Sequence, residues 1–144
     1  MMIPKFRAWV KTGKRMVETD DLLGINYEDK EIITQKIYFE SGLPVERDID
    51  NYDFDEIVLM QSTGLKDKNG KEIFEGDILK VANNDSSWFE VVKYDHDKAM
   101  LISKEVNLKY EVPETPLYDL FSPYLFKVEV IGNIWENRDL LGVE

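Results

Sequence analysis

The chain of 144 residues has no cysteine and a single histidine, His96. Without thiols there is no disulfide framework, thiolate zinc site, iron–sulfur cluster or cysteine nucleophile. One imidazole likewise excludes a histidine-rich metal cage. Long apolar stretches are missing as well. No run exceeds four residues, as in Ile57-Val58-Leu59-Met60, whereas a membrane-spanning helix needs roughly 20. The start, Met1-Met2-Ile3-Pro4-Lys5-Phe6-Arg7, carries charges where a secretory signal needs apolar residues. A soluble cytoplasmic protein with no membrane partner is therefore expected. Basic residues are scarce: 18 Lys and Arg stand against 29 Asp and Glu, a formal net charge of −11. Binding nucleic acid through a broadly basic face is disfavoured, because phosphate contacts draw on Lys and Arg. Neither Gly-x-x-x-x-Gly-Lys nor Gly-x-Gly-x-x-Gly occurs, so phosphate-loop chemistry has no template here.

What is present is material for a β-rich core, with 43% hydrophobic and 12% aromatic residues. Phe6-Arg7-Ala8-Trp9-Val10 alternates, turns at Lys11-Thr12-Gly13-Lys14 and returns through Arg15-Met16-Val17, which reads as a hairpin. Gly24-Ile25-Asn26-Tyr27 and Glu31-Ile32-Ile33 flank a polar turn and predict a second hairpin, its return arm running through Ile37-Tyr38-Phe39 and ending at Ser41-Gly42-Leu43-Pro44. Residues 46–56 hold six carboxylates against Arg47 and read as a connector. Residues 57–61 form a short apolar run of buried-strand length. Asn69-Gly70 is a tight-turn signal, and Glu75-Gly76-Asp77 turns the chain into the apolar strand that follows. Strands are expected at 88–94, 99–102 and 127–132, with short helical turns at 117–121, after Thr115-Pro116, and at 138–141, capped by Asn137 and stopped by Gly142. Trp9 and Trp135 are expected in the core, and Trp88, after a polar loop, partly exposed. The division expected is an N-terminal β-rich subdomain at 1–56 and a second part at 57–144, packed as one unit.

Candidate chemistry is thin. Asp48, Asp50, Asp53 and Asp55 superficially suggest a calcium loop, but position six from Asp48 is Asp53 where a Gly is needed, and position twelve is Leu59 where a bidentate Glu belongs. Glu28-Asp29-Lys30 has the Glu-x-Lys spacing of metal-dependent nucleases, yet it falls in a predicted turn. Asp95-His96-Asp97 is a turn between strands, and no Gly-x-Ser-x-Gly elbow accompanies it. With no convergent nucleophile, base or metal set, the chain reads as non-enzymatic, with no cofactor. The excess acid is uneven: Lys5, Arg7, Lys11, Lys14 and Arg15 face only Glu18 in the first nineteen residues. With Lys66, Lys68, Trp88 and Tyr124 they make up the candidate interaction surface. A basic face of this kind suits nucleic acid if aromatics interleave, or the acidic face of a second copy in a homo-oligomer. Phe121-Ser122-Pro123-Tyr124-Leu125-Phe126 reads as an apolar plug for the open end of a barrel.

Three blocks carry a likeness to a known family: Pro4-Lys5-Phe6-Arg7-Ala8-Trp9, residues 63–79, and Val128-Glu129-Val130-Ile131-Gly132-Asn133-Ile134-Trp135-Glu136-Asn137. Together they resemble the YopX-like proteins encoded by phages and prophages of Gram-positive bacteria. The resemblance implies a mainly β fold whose C-terminal part is an SH3-like barrel, in a host bacterial cytoplasm. It implies no catalytic residues. A non-enzymatic module that binds a host or phage protein is the expected role, with nucleic-acid binding, DNA mimicry by carboxylates and a carboxylate-metal hydrolase as alternatives.

Overall fold

Short alternating segments separated by Gly, Asn and Asp leave little room for helix, and strands dominate the chain. The computed structural model describes residues 3–106, 109–121 and 125–142, and within them the protein is mainly β, its few helical segments being 3-10 turns. It divides into two compact units, Met1–Gln61 and Ser62–Glu144.

In the first unit, β1 (Phe6–Val10) pairs antiparallel with β2 (Arg15–Val17) across the expected turn, and with β6 (Ile57–Lys66) on its other side. β3 (Leu22–Asn26), β4 (Glu31–Glu40) and β5 (Leu43–Asp53) form a three-stranded antiparallel sheet in chain order. Ala8, Val10, Val17, Ile32 and Ile57 make the core, with Leu22, Ile25, Tyr52, Phe54 and Leu59 packed on it. Each such aliphatic side chain contributes about 1.5–3 kcal/mol on full burial.

Two expectations are corrected here. The acidic stretch is no connector: residues 43–53 form an eleven-residue strand whose partner is β4 from Glu31↔Asp53 to Glu40↔Leu43. Ser41-Gly42 does not end the ribbon but reverses it, both residues standing at positive φ (52° and 81°) as a two-residue hairpin turn of the I′ kind requires. Pro44 is tolerated because β5 is an edge strand.

The second unit holds the end of β6, which pairs with β7 (Glu72–Phe74), and a five-stranded antiparallel sheet. Its strands are β8 (Asp77–Ala82), β9 (Ser87–Asp95), β10 (Met100–Glu105), β11 (Thr115–Pro116) and β12 (Lys127–Asn133), in the order β11-β10-β9-β8-β12. The 3-10 turn Leu117–Phe121 precedes β12, and Leu117 and Leu120 enter a core with Ile73, Leu79, Val81, Val92 and Val128. Phe121 and Phe126 pack against that core, and Tyr124 lies outside the described residues.

The motif residues of this unit act as fasteners. Asp67 is buried, and its Oδ1 accepts the backbone N–H groups of Asn69 and Lys71, both at 2.9 Å. Its Oδ2 accepts Val130 N–H at 2.9 Å, tying the Asn69-Gly70 turn to β12. Asp77 Oδ2 accepts Phe74 N–H at 2.8 Å, closing the turn at Gly76. Asn133 Oδ1 accepts the N–H groups of Trp135 (3.0 Å) and Glu136 (2.8 Å). Asn137 does not cap the last 3-10 turn, Arg138–Leu141, as expected; its Oδ1 reaches back to accept Asn133 N–H at 3.1 Å. Trp9 is buried, but Trp135 is only half-buried.

The close approach of Asn137 explains the glycine at 132. A methyl there meets Asn137 Oδ1 and stands 2.6 Å from its Cγ and 2.9 Å from its Cβ, too near for a side-chain tip alone to give way. Gly132→Ala is expected to cost about 2 kcal/mol, and Asn137→Ala about 1 kcal/mol through the lost bond to Asn133. Because both act on one contact, the double variant should lose clearly less than the two together, read by thermal or denaturant unfolding. Additive losses would show that the crowding rests on Asn137 Cβ, which alanine keeps, and not on its Cγ and Oδ1.

Candidate interaction surface

β4 and β5 run far beyond the strand that covers them. β3 pairs with β4 only as far as Thr34, so from Gln35 onward the hairpin is a two-stranded ribbon with both edges open. Side chains alternate between its faces. One face points to the core at its base, through Ile32, Thr34 and Tyr52. Further out the same face becomes polar and acidic. Tyr38 O–H donates to Asp48 Oδ2 at 2.9 Å, and Lys36 Nζ stands 5.2 Å from the Tyr38 ring centre. The hydrogen bond to Asp48 holds the Tyr38 phenol above its ordinary value, helped by desolvation and by the charges of Asp48, Glu46 and Asp50.

The opposite face mixes the two, each row of its middle holding one apolar and one polar side chain. Its cross-strand rows are Glu31/Asp53, Ile33/Asn51, Gln35/Ile49 and Ile37/Arg47, followed by Phe39, which pairs with Pro44 at a bulge that leaves Val45 beside it. Phe39 is 64% exposed, Val45 58% and Ile49 54%. A solvated face of an antiparallel sheet ordinarily reads polar. Scattered exposed apolar residues mean little, but a contiguous strip of them marks a contact surface. The acids and the base sit apart on this face: Glu31 and Asp53 at the root, Arg47 near the tip. Glu31 Oε2 accepts Asn51 Nδ2–H at 3.3 Å.

The residues singled out from the sequence fall elsewhere. Lys5, Lys11 and Lys14 are exposed on or beside the first hairpin, and Lys11 Nζ donates to the Asp55 carbonyl at 2.9 Å. Arg15 is half-buried, with its guanidinium 3.3 Å from Tyr52 Oη. Arg7 is 5% exposed, so it presents no surface. In the second unit Lys66 and Lys68 are exposed, Lys68 lying 3.5 Å from Glu129. Trp88 is half-buried, as expected for a ring at a strand entrance. The strip on the outer face of the ribbon was missed, although Ile33, Ile37 and Phe39 do alternate with polar residues.

Among the described residues no three Asp, Glu, His or Cys side chains are grouped to hold a metal ion. His96 stacks edge-on against Tyr94 at 4.9 Å, and Asp95 Oδ1 is used in accepting the N–H groups of Asp97 and Lys98. Glu28-Asp29-Lys30 is the β3–β4 turn, in which Asp29 exchanges hydrogen bonds with Asn26. Among the described residues no helix is long and apolar enough to cross a membrane.

The family model described as YopX protein matches residues 5–142. The chain belongs to the YopX family. Among solved structures, this YopX-family chain is similar to protein EF1440 from Enterococcus faecalis, at 33% identity and a TM-score of 0.60, over 98% of this chain and 99% of that one. It is also similar to protein yopX from Bacillus subtilis, at 22% identity and a TM-score of 0.60, over 97% and 98% of the two chains. That second likeness speaks for the fold alone. No curated protein matches the chain. In this YopX-family protein the first block that carried the resemblance is strand β1, and the other two are turns and fasteners built on Asp67, Asp77 and Asn133.

Proposed function

We propose that this protein is a non-enzymatic interaction module, encoded by a phage or prophage and acting in the bacterial cytoplasm, that assembles with a second copy through the outer face of the β4–β5 ribbon. The observation that carries this reading is the exposed set Phe39, Val45 and Ile49, with the half-buried Ile37 among them, on a ribbon open at both edges. Charge supports a second copy as the occupant. A two-fold axis passing between the Ile33/Asn51 and Gln35/Ile49 rows lays the Glu31/Asp53 row of one ribbon over the Ile37/Arg47 row of the other. Those rows lie about 20 Å apart along the ribbon at ~3.4 Å per residue, so Ile33 and Ile49 between them are covered in the same step. Phe39 and Val45, beyond the Ile37/Arg47 row, reach the partner's turn at residues 28–30. The second unit is read as an SH3-like barrel, supported by its five antiparallel strands and the 3-10 turn before the last of them. No cofactor enters this reading.

Sedimentation velocity from low to high micromolar protein tests it. The native chain is expected to pass from one copy to two, and Phe39→Ser with Ile49→Ser to remain single at every concentration. Both side chains are largely exposed, so their loss leaves the unfolding transition in place. A native chain that stays single throughout overturns the reading.

A further inference from the structure

The second unit contains a site that the ribbon does not use. β9 and β10 pair so that Glu90 stands directly opposite Glu105, and Val92 opposite Ser103. Alternation then places Trp88, Glu90, Ser103 and Glu105 on one face. Glu90 is 6% exposed and is held by two neutral donors: Ser103 Oγ–H at 2.7 Å on Oε1 and Trp88 Nε1–H at 2.8 Å on Oε2. The indole lies edge-on to Phe126, ring centres 5.8 Å apart. Trp88, Glu90, Glu105 and Phe126 border an open pocket of about 250 Å³, with the exposed Thr115 and Asp119 at its rim.

Three acidic residues thus line one pocket with Trp88 and Phe126 in its wall, Glu90 buried, Glu105 half-buried and Asp119 exposed. Like charges directly opposite across a ladder repel, and the charge of Glu90, taken out of water, ordinarily calls for a counter-charge. None is supplied within the described residues. No Lys, Arg or His stands within ion-pair distance of Glu90, Glu105 or Asp119. The lysines on the neighbouring stretches are committed elsewhere, Lys93 to Glu114 at 2.8 Å and Lys104 to Glu111 at 3.1 Å. The carboxylates are also not grouped as metal ligands. An organic cation answers both features, since Trp and Phe faces attract ammonium and guanidinium groups that the carboxylates can neutralise.

We propose that this cavity binds the cationic side chain, guanidinium or ammonium, of an Arg or Lys in a partner polypeptide. The inference is independent of how copies of the chain assemble, and the ribbon variant Phe39→Ser with Ile49→Ser can carry the test. The probe is N-acetyl-arginine amide or N-acetyl-lysine amide, titrated into ¹⁵N-labelled full chain at low salt. The readout is the Trp88 indole N–H resonance, assigned by its loss in Trp88→Phe.

A saturable shift of that resonance is expected with at least one of the two cations, and none with the neutral N-acetyl-citrulline amide. The blocked amides carry no free α-amino or α-carboxyl group, so their binding assigns a side chain within a polypeptide rather than a free amino acid. Glu105→Gln with Asp119→Asn leaves the hydrogen bonds of Glu90 in place and is expected to weaken binding about tenfold. An unmoved Trp88 resonance with both cations, an equal shift with citrulline amide, or binding of free arginine but not of its amide would overturn the proposal.

Discussion

Asp67→Ala is expected to lower the melting temperature of the second unit by about 10 °C, which corresponds to about 3–4 kcal/mol at this chain length. The carboxylate accepts three backbone N–H groups, from Asn69, Lys71 and Val130, and no nearby side chain can take over all three. Its removal leaves donors without acceptors and cuts the tie between the Asn69-Gly70 turn and β12. Asp67→Asn should recover about half of the loss, because a carboxamide keeps one acceptor oxygen and turns its NH₂ toward a donor. Trp88 and Trp135 fluorescence follows the transition.

The same carboxyl sets a pH dependence. Burial pushes the Asp67 pKa up, but the hydrogen bonds from Val130, Lys71 and Asn69 and the charge of Lys71 outweigh it, and the folded value lies below the ordinary carboxyl range. A depressed folded pKa means that the carboxylate stabilises the fold fully above the unfolded value of about 3.9, and that this stabilisation is lost as pH falls through the folded value. The stability gap between the native chain and Asp67→Asn should therefore be flat from neutral pH down to about pH 5 and shrink below about pH 4. A gap that widens in acid would contradict this account of the site.

Arg47→Glu is expected to abolish pairing of the ribbons at micromolar protein, and Glu31→Arg in the same chain to restore part of it, since Asp53 stays in the facing row. In a two-fold arrangement each contact occurs twice, so one substitution replaces two attractions with two repulsions. Like charges brought together at a contact cost several kcal/mol, enough to raise the dissociation constant more than a hundredfold. With Asp53 left in place, the double exchange sets a row of no net charge opposite residue 47 and relieves the repulsion, whereas Arg47→Glu alone sets it against the two acids Glu31 and Asp53. Neither side chain belongs to the core of the first unit, which rests on Ala8, Val10, Val17, Ile32 and Ile57. The unfolding curves of the native and variant chains should therefore nearly coincide. Restoration by the double variant separates a specific register from a loss of general stickiness.

Much of the fold was legible because local chemistry and tertiary structure agree. Asn69-Gly70, Gly76 and the polar turn at 95–98 punctuate strands where the backbone reverses, and the 3-10 turns at 117–121 and 138–141 follow their Pro and precede their Gly. Legibility failed where a partner strand decided the outcome. Residues 46–53 look like a solvated connector because carboxylates dominate, yet pairing with β4 makes them a strand whose acids simply face water. Arg7 reads as a surface base from alternation alone. It is buried at 5% exposure, and its neighbours Ala8, Trp9 and Val10 are buried too, so both faces of β1 are covered. The apolar strip needed the register of Gln35 with Ile49 and Ile37 with Arg47 before its members fell on one face. The cavity beside Trp88 needed Glu90 opposite Glu105, a pairing that no spacing along the chain encodes.

Assembly through the ribbon is tested most directly by amide hydrogen exchange over residues 35–50, compared in dilute and concentrated protein. An open two-stranded ribbon exchanges fast, because its hydrogen bonds are exposed and little packs on it. Protection that rises with concentration in residues 35–50, and not in the second unit, is the predicted result. Exchange that is equally fast at every concentration, with the mass of a single copy throughout, would contradict it.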